Sequence, residues 1–402
     1  MELWTANYDD IKEKRLKKIL KAPLLDLHTT GTFELIGYLG EHLRLVIDVD
    51  DKGVNSKLNL FVKCIPRFNK WRAEYLREMS FFKKEYAMLN VRKWRPNLLY
   101  AKEELFVFED VSQMGYVMPN HTFTLADDEL WATVETLARF HAQSYIHEES
   151  KSKELGRPYR IWEDYGEYLT EPDNAVLTSW RDTGKRAAID YLKEYSAYKL
   201  KPGFCKDVEA IMTVLFDEAC TLMKPSKTHR NVVIHRDIWT NNIFLKQLDS
   251  GKLHAFLVDY QTVLYSSPML DLSSLLFFNT TKNFRAKQTN NVIDLYYAIL
   301  TEELKISGID VSTVVDKYTL GRAYDDSLTF GMTQAALIVP IISMSGERRK
   351  ELYGNHEAAV KLDVVSRSQE IIETAREDTN YQTRVSELLD EIVERFVYPL
   401  KR

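Results

Sequence analysis

The order of apolar and polar residues divides the chain into two stretches of different period. From about residue 30 to 110 the pattern is mainly that of strands. Leu43, Leu45, Ile47 and Val49 share one face of an extended segment. Asp50-Asp51-Lys52-Gly53 is turn chemistry, and the next apolar run, Leu58 to Ile65, ends at Pro66. Together they predict a hairpin with a connection of four to seven residues. The period then changes. Tyr75, Met79, Phe82, Tyr86 and Leu89 recur at helical spacing and predict one helix over 72–94. Glu78 and Glu85 both fall beside that stripe. Leu98–Tyr100 and Leu105–Phe108 predict two more short strands.

After Glu109 the helical period dominates. Asp127 to Tyr145 sets Leu130, Val134, Leu137, His141 and Tyr145 on one face. Helical segments follow over 161–198, with a break at Pro172, and over 207–223. Residues 231–260 are the exception, with strands predicted at Val232–Ile234, Ile243–Leu245 and Phe256–Val258 and a turn at Asp249–Lys252. Helical patterns return at Asp271 and end in a long charged helix from about Asp363. There is no internal repeat. The expected fold class is α+β and bilobal, with a strand-rich lobe over 1–110, a larger and mainly helical lobe over 111–402, and a ligand cleft between them.

Composition narrows this further. The 402 residues are 45% hydrophobic, which suits a globular core. A net charge of −5 argues against a nucleic-acid partner. Cys64, Cys205 and Cys220 form neither a disulfide framework nor a zinc-ligand spacing, which suits a reducing compartment. The most apolar late stretch, Ala335–Met344, is about half of the roughly 20 residues that span a membrane. Residues 1–21 lack the apolar core of a signal peptide. The expectation is a cytoplasmic protein without membrane insertion.

The chemistry concentrates in His235-Arg236-Asp237-Ile238-Trp239-Thr240-Asn241-Asn242, followed by Val258-Asp259-Tyr260. Phosphoryl transfer needs one carboxylate to orient or deprotonate the attacking hydroxyl. It also needs a carboxylate and an amide oxygen to hold Mg²⁺. Asp237, Asp259 and Asn242 fit these roles, against the alternative that they only cap turns. Upstream, Lys63 lies in the apolar run Phe61-Val62-Lys63-Cys64-Ile65, where a charge needs a partner. Glu78 and Glu85 are the candidates. His141, on an apolar helix face, reads as a hydrogen-bonded core histidine.

These segments resemble the ecdysteroid kinase-like family, relatives of choline and aminoglycoside kinases in the small-molecule branch of the protein-kinase-like fold. The matching segments, in order, are Phe61-Val62-Lys63, Phe82-Lys83-Lys84-Glu85, Phe108-Glu109-Asp110-Val111 with Gly115-Tyr116, Leu137 to Ala142, His235 to Asn242, and Val258-Asp259-Tyr260-Gln261 with Asp271-Leu272. The resemblance implies ATP and Mg²⁺ as cofactors, with Asp237 as catalytic base and Asn242 and Asp259 as metal ligands. It implies that Lys63 touches the α and β phosphates and pairs with Glu85. Glu109, Asp110 and Val111 would form a hinge that meets adenine through backbone groups, and Asp271 would brace the catalytic loop. Gly40, in the sparse glycine segment Gly37-Tyr38-Leu39-Gly40, would allow close approach of phosphate.

Two departures stand out. Most small-molecule relatives carry Gly where this chain has Arg236, and the phosphate loop has only two glycines. Arg236 is the residue of protein kinases, but twelve residues from Asp259 to Asp271 leave no room for an activation segment, and no Ala-Pro-Glu follows. The expected acceptor is therefore a small molecule with a hydroxyl. Trp162, Tyr165, Tyr168 and Trp180, with Phe277, Phe278 and Phe284, suit an ecdysteroid-like or xenobiotic lipophilic alcohol. Two alternatives stand beside it. One is a silent nucleotide-binding fold. The other is a choline or aminoglycoside type of kinase, for which Glu163, Asp164 and Glu167 would supply acid.

Overall fold

A computed structural model describes residues 24–26, 40–51, 54–66, 70–78, 80–87, 96–102, 104–120, 123–354 and 356–399. The chain divides into two compact units, Met1–Val117 and Met118–Arg402.

The first unit is an antiparallel sheet with helices. Strands β1 (Leu24–Asp26), β2 (Glu41–Asp51), β3 (Val54–Cys64), β4 (Leu98–Lys102) and β5 (Leu105–Glu109) lie in the order β1-β2-β3-β5-β4. Leu45, Leu60, Val62, Cys64, Leu105 and Val107 make its buried cluster. The β2–β3 register runs unbroken from Glu41 opposite Cys64 to Asp51 opposite Val54. The hairpin connection is thus shorter than expected. Asp50 and Asp51 belong to the ladder, because strand pairing uses backbone groups that acids possess as well.

The single helix expected over 72–94 is instead two, α1 (Lys70–Glu78) and α2 (Phe81–Ala87). Ser80 divides them with φ +57°. Its N–H closes the first helix on the Arg77 carbonyl at 3.0 Å, and its carbonyl opens the second by accepting from Lys84 N at 3.0 Å. Met79 and residues 88–94 of that expectation lie outside the described residues.

The second unit is mainly helical. It begins with α3 (Asp127–Leu155), α4 (Ile161–Tyr165), α5 (Ala175–Tyr195) and α6 (Phe204–Leu222). The gap between α4 and α5 contains Pro172, as the sequence suggests. Strands β6 (Val232–Ile234), β7 (Ile243–Gln247), β8 (Leu253–Leu257) and β9 (Leu264–Ser266) form two small sheets, β6 with β9 and β7 with β8. Strand β9 has only three residues, too few for alternation to register in the sequence. Next come α7 (Pro268–Asn279), α8 (Lys282–Ile306), α9 (Lys317–Asp326), α10 (Leu328–Ile342), α11 (Gly346–Tyr353) and α12 (His356–Val360). The long helix expected from Asp363 is broken into α13 (Ser368–Glu377) and α14 (Thr379–Ile392). Asp378 ends the first and caps the second, its carboxylate accepting from Asn380 N and Tyr381 N. The three cysteines are free thiols. No single helix among the described residues is long and apolar enough to cross a membrane.

Helix α7 is the centre of this unit. Every one of its residues is buried, the polar Asp271, Ser273, Ser274 and Asn279 with the apolar majority. Ser267 caps it, its Oγ accepting from Met269 N at 3.4 Å, and Pro268 starts it at a position whose N–H would have no intrahelical partner. Helix α10 crosses it closely through Gly331. A Cβ at Gly331 would lie 2.7 Å from Ser273 Oγ and 2.9 Å from the Ser273 carbonyl carbon. Backbone cannot yield cheaply at that range. Gly331→Ala is therefore expected to lose about 1–3 kcal/mol of stability, measured by denaturant unfolding. An unchanged midpoint would refute this account of the α7–α10 contact.

Candidate active site

In the first unit the sheet presents a buried lysine. Lys63 stands on β3, its neighbours in the ladder being His42 on β2 and Phe106 on β5. It is 4% exposed. Its Nζ donates to Glu85 Oε2 at 2.6 Å, from α2, and both side chains are buried. Glu78 is exposed, so Glu85 is the partner. Removal of either member would strand an uncompensated charge. Gly40 lies directly beside this pair. A Cβ there would sit 3.6 Å from Lys63 Cε and 3.2 Å from His42 Nε2. Gly37 lies outside the described residues.

After β5 the chain makes a tight turn whose donors are nearly all used. Asp110 N donates to Asn59 O at 3.2 Å, Gln113 N to Asp110 O at 3.1 Å, and Met114 N and Tyr116 N to Val111 O, each at 3.1 Å. The Asp110 carboxylate is buried and accepts from Ser112 N at 3.0 Å, Ser112 Oγ at 2.5 Å and Arg44 Nε at 3.3 Å. Among the described residues, the Val111 N–H has no acceptor in the protein. Glu109 ends β5, its N–H donating to Asn97 O at 3.0 Å.

In the second unit the loop after β6 carries the other group. The Asp271 carboxylate, fully buried on α7, accepts from His235 N at 2.6 Å, Arg236 N at 2.7 Å and His141 Nε2 at 3.0 Å. His141 Nδ1 in turn accepts from the Tyr296 hydroxyl at 2.8 Å. His141 is thus the satisfied core histidine that its helix face implied, and its ring orients a carboxylate. His235 donates Nε2–H to Val258 O at 2.9 Å and accepts at Nδ1 from Asp237 N at 3.3 Å. Burial lowers its pKa and keeps the ring neutral, as this pattern requires. Thr262 Oγ1 donates to His235 O at 2.8 Å.

The loop returns on itself through Asn242. Asn242 Nδ2 donates to Asp237 O at 2.8 Å and to Asp237 Oδ2 at 3.0 Å. The amide oxygen is therefore the atom of Asn242 left for a cation. Asp259 follows β8 in a left-handed conformation, φ +69°. Burial first, and then the negative charge of Asp259, push the Asp237 carboxyl up to about 7, against the opposing pull of Arg236, Asn242 and Trp239. Arg236 is left-handed too, at φ +72°, and its guanidinium is paired with Glu171. Glu171 also accepts from Arg181 Nη1 at 2.5 Å.

Each unit thus assembles its own group: Lys63 with Glu85 and Gly40 in the first, Asp237 with Asn242 and Asp259 in the second. No cluster of three or more His, Cys, Asp or Glu side chains suited to a metal occurs among the described residues. Sequence reasoning missed Glu171, Thr262 and Tyr296. Glu171 is 65 residues from Arg236, and no spacing rule links them. Phe277 and Phe278 are 1% and 2% exposed core residues, which removes them from any pocket lining. Trp180 lies under the Arg367 guanidinium, 4.9 Å from its ring centre.

A family model described as the ecdysteroid kinase-like family matches residues 35–309. No curated protein sequence matches the chain. Among solved structures it is similar to an ethanolamine kinase of Plasmodium vivax, at 8% identity, TM-score 0.41, and coverage of 92% of this chain and 83% of that one. It is similar to a microcompartment-associated aminopropanol kinase at 12% identity, TM-score 0.37, and 93% and 98% coverage. A gentamicin complex of APH(2")-IIa matches at 16% identity, TM-score 0.34, and 80% and 93% coverage. At these scores the structural likeness adds no argument to the family match.

The raised Asp237 pKa has a stability consequence. Its ordinary value is 3.8 and its folded value about 7. Charging it therefore costs more in the folded than in the unfolded state, at about 1.4 kcal/mol per pKa unit. The wild type loses that stability as pH rises through 4 to 7. Asp237→Asn does not titrate, so its melting temperature relative to wild type should rise over the same window and level off above it. A difference independent of pH from 4 to 9 would refute the shift.

Proposed function

The chain belongs to the ecdysteroid kinase-like family, and on that premise we propose that it transfers the γ-phosphoryl group of ATP to a hydroxyl of a lipophilic alcohol, ecdysteroid-like or xenobiotic. It is a phosphotransferase with an alcohol group as acceptor, and its fold is α+β and protein-kinase-like. One observation carries the finer reading: the half-buried Asp237 carboxyl is held at both Oδ2 and its backbone carbonyl by Asn242, and burial with the charge of Asp259 pushes it up to about 7. A base poised near neutrality accepts a proton efficiently at physiological pH.

In this scheme the acceptor hydroxyl gives its proton to Asp237. Its oxygen attacks the γ-phosphorus while the bond to the bridging β,γ oxygen breaks, and ADP leaves with that electron pair. Lys63, fixed by Glu85, holds the α and β phosphates. Gly40 keeps the approach to Lys63 free of a side chain. The open Val111 N–H donates to an acceptor nitrogen of adenine, in the segment Glu109-Asp110-Val111. Mg²⁺, held by Asn242 Oδ1 and Asp259, would neutralise charge on the phosphates.

The acceptor class is argued from the segment before α5. Trp162, Tyr165 and Tyr168 are 37%, 39% and 36% exposed, and Trp162 stacks on Tyr265 at 6.1 Å. The acids beside them are already occupied. Glu163 pairs with Arg157 at 2.9 Å, and Asp164 accepts from the Tyr159 hydroxyl at 2.8 Å. Glu167 bonds to Tyr168, raising the tyrosine's pKa. The acids beside them keep their charge, so the reading of an apolar acceptor rests on the exposed rings.

The test combines binding and turnover. ATP with Mg²⁺ is expected to raise the melting temperature, and a mass-shift screen of ecdysteroids and plant-derived alcohols should yield at least one phosphorylated product. Asp237→Asn should lower that turnover by roughly 10²–10⁴-fold, and Lys63→Ala should weaken ATP binding. Phosphorylation of choline or an aminoglycoside alone would move the acceptor to the cationic class. Bound ATP with no product from any acceptor would leave a nucleotide-binding protein without turnover.

A further inference from the structure

Three described residues other than glycine have a positive φ, and two of them, Arg236 and Asp259, flank the Asp237 loop. The left-handed region is disfavoured for a side chain as large as arginine and natural for glycine. Arg236 occupies it at φ +72°. Something must repay that preference. Two bonds do so at once: the Arg236 N–H donates to Asp271 Oδ1 at 2.7 Å, and the guanidinium donates to Glu171 Oε1.

The side-chain contact is largely shielded, with Arg236 12% and Glu171 15% exposed. Burial raises the Glu171 carboxyl, but the charges of Arg236 and Arg181 outweigh it and leave the pKa lowered, so Glu171 is ionised. Arg181 Nη1 holds the second Glu171 oxygen at 2.5 Å, and Met223 Sδ lies 3.5 Å from Arg236 Nη1. The carboxylate therefore sits between two guanidinium groups from different parts of the unit, α5 and the loop after β6. Glu171 itself belongs to the segment between α4 and α5.

We infer that Arg236, Glu171 and Arg181 form a clamp that holds the loop in its left-handed turn and so positions Asp237. Arg236 is a positioning residue, acting through the backbone that Asp237 shares with it. The same clamp ties the loop to the segment that carries the exposed rings. The inference rests on the assignment of Asp237 as base, but its physical core, the held turn, does not.

The test uses three variants of the full chain: Arg236→Gly, Arg236→Lys and Glu171→Gln. If arginine were only an awkward substitute at a glycine position, Arg236→Gly would relieve the backbone and leave the loop and its turnover unchanged. The clamp predicts the opposite. Hydrogen–deuterium exchange at residues 232–242 should rise at least threefold in Arg236→Gly and Glu171→Gln. With ATP and ecdysone as probes, kcat should fall at least tenfold while KM for ATP stays within twofold. Arg236→Lys, which keeps the charge, should recover at least a third of kcat and the slow exchange. Wild-type exchange and kcat in both Arg236→Gly and Glu171→Gln would overturn the inference. Should Arg236→Gly fail to fold, Glu171→Gln decides it alone. If the wild type turns over no acceptor, the proposed function fails while the exchange measurement still decides the clamp.

Discussion

The Asp271 carboxylate is the fixed point from which the second unit's candidate site hangs. It sits on α7, a helix with no exposed residue, and it accepts from two consecutive backbone N–H groups and one imidazole. A buried carboxylate without such donors would be costly. With them it becomes a rigid template, because its two oxygens dictate where His235 N and Arg236 N must lie. The left-handed turn at Arg236, the His235 ring against Val258, and the return of Asn242 to Asp237 all follow from that placement. The packing that keeps α7 dry is thus part of the chemistry. A helix that admitted water would weaken each of these bonds.

The two units solve opposite electrostatic problems. In the first, a buried lysine is matched to one glutamate at 2.6 Å, and the pair is neutral by itself. In the second, Asp237 and Asp259 repel strongly enough to help raise the Asp237 carboxyl to about 7. A divalent cation held near Asp259 would offset that repulsion and return Asp237 toward its ionised form.

Much of this was legible in the sequence for one physical reason: charged and amide side chains next to apolar strands are costly unless they have a partner or a task. Asp237, Asn242 and Asp259 stood out as polar residues at the ends of apolar strands, and Lys63 as a charge inside one. Element type was legible wherever apolar periodicity was long, as in Asp127–Leu155. It failed where a single residue decides. Ser80 and Asp378 each break a continuous helical stripe by local hydrogen bonds that hydropathy does not encode. Strand β9 was invisible because its three residues acquire meaning only opposite Val232–Ile234. Glu85 was separable from Glu78 only in three dimensions, since both lie beside the same apolar stripe. Glu171 was out of reach altogether, because its partner lies 65 residues away and the reason for the contact is a backbone angle.

The segment between α3 and α5 is best understood as a fixed wall. At its first end the fully buried Glu148 on α3 accepts from Ile161 N at 3.1 Å, the Tyr265 hydroxyl at 2.5 Å and Arg230 Nη2 at 3.0 Å. In the middle Tyr265 N donates to Leu169 O at 3.2 Å. At its far end Glu171 holds Arg236. A mobile lid would be expected to meet its neighbours through few and exposed contacts. Here the anchors are a shielded charged contact at each end and a backbone hydrogen bond between them. On the proposed reading, an acceptor at Trp162, Tyr165 and Tyr168 would meet rings on a segment tied down at both ends and in the middle, and so would bear little ordering cost at binding.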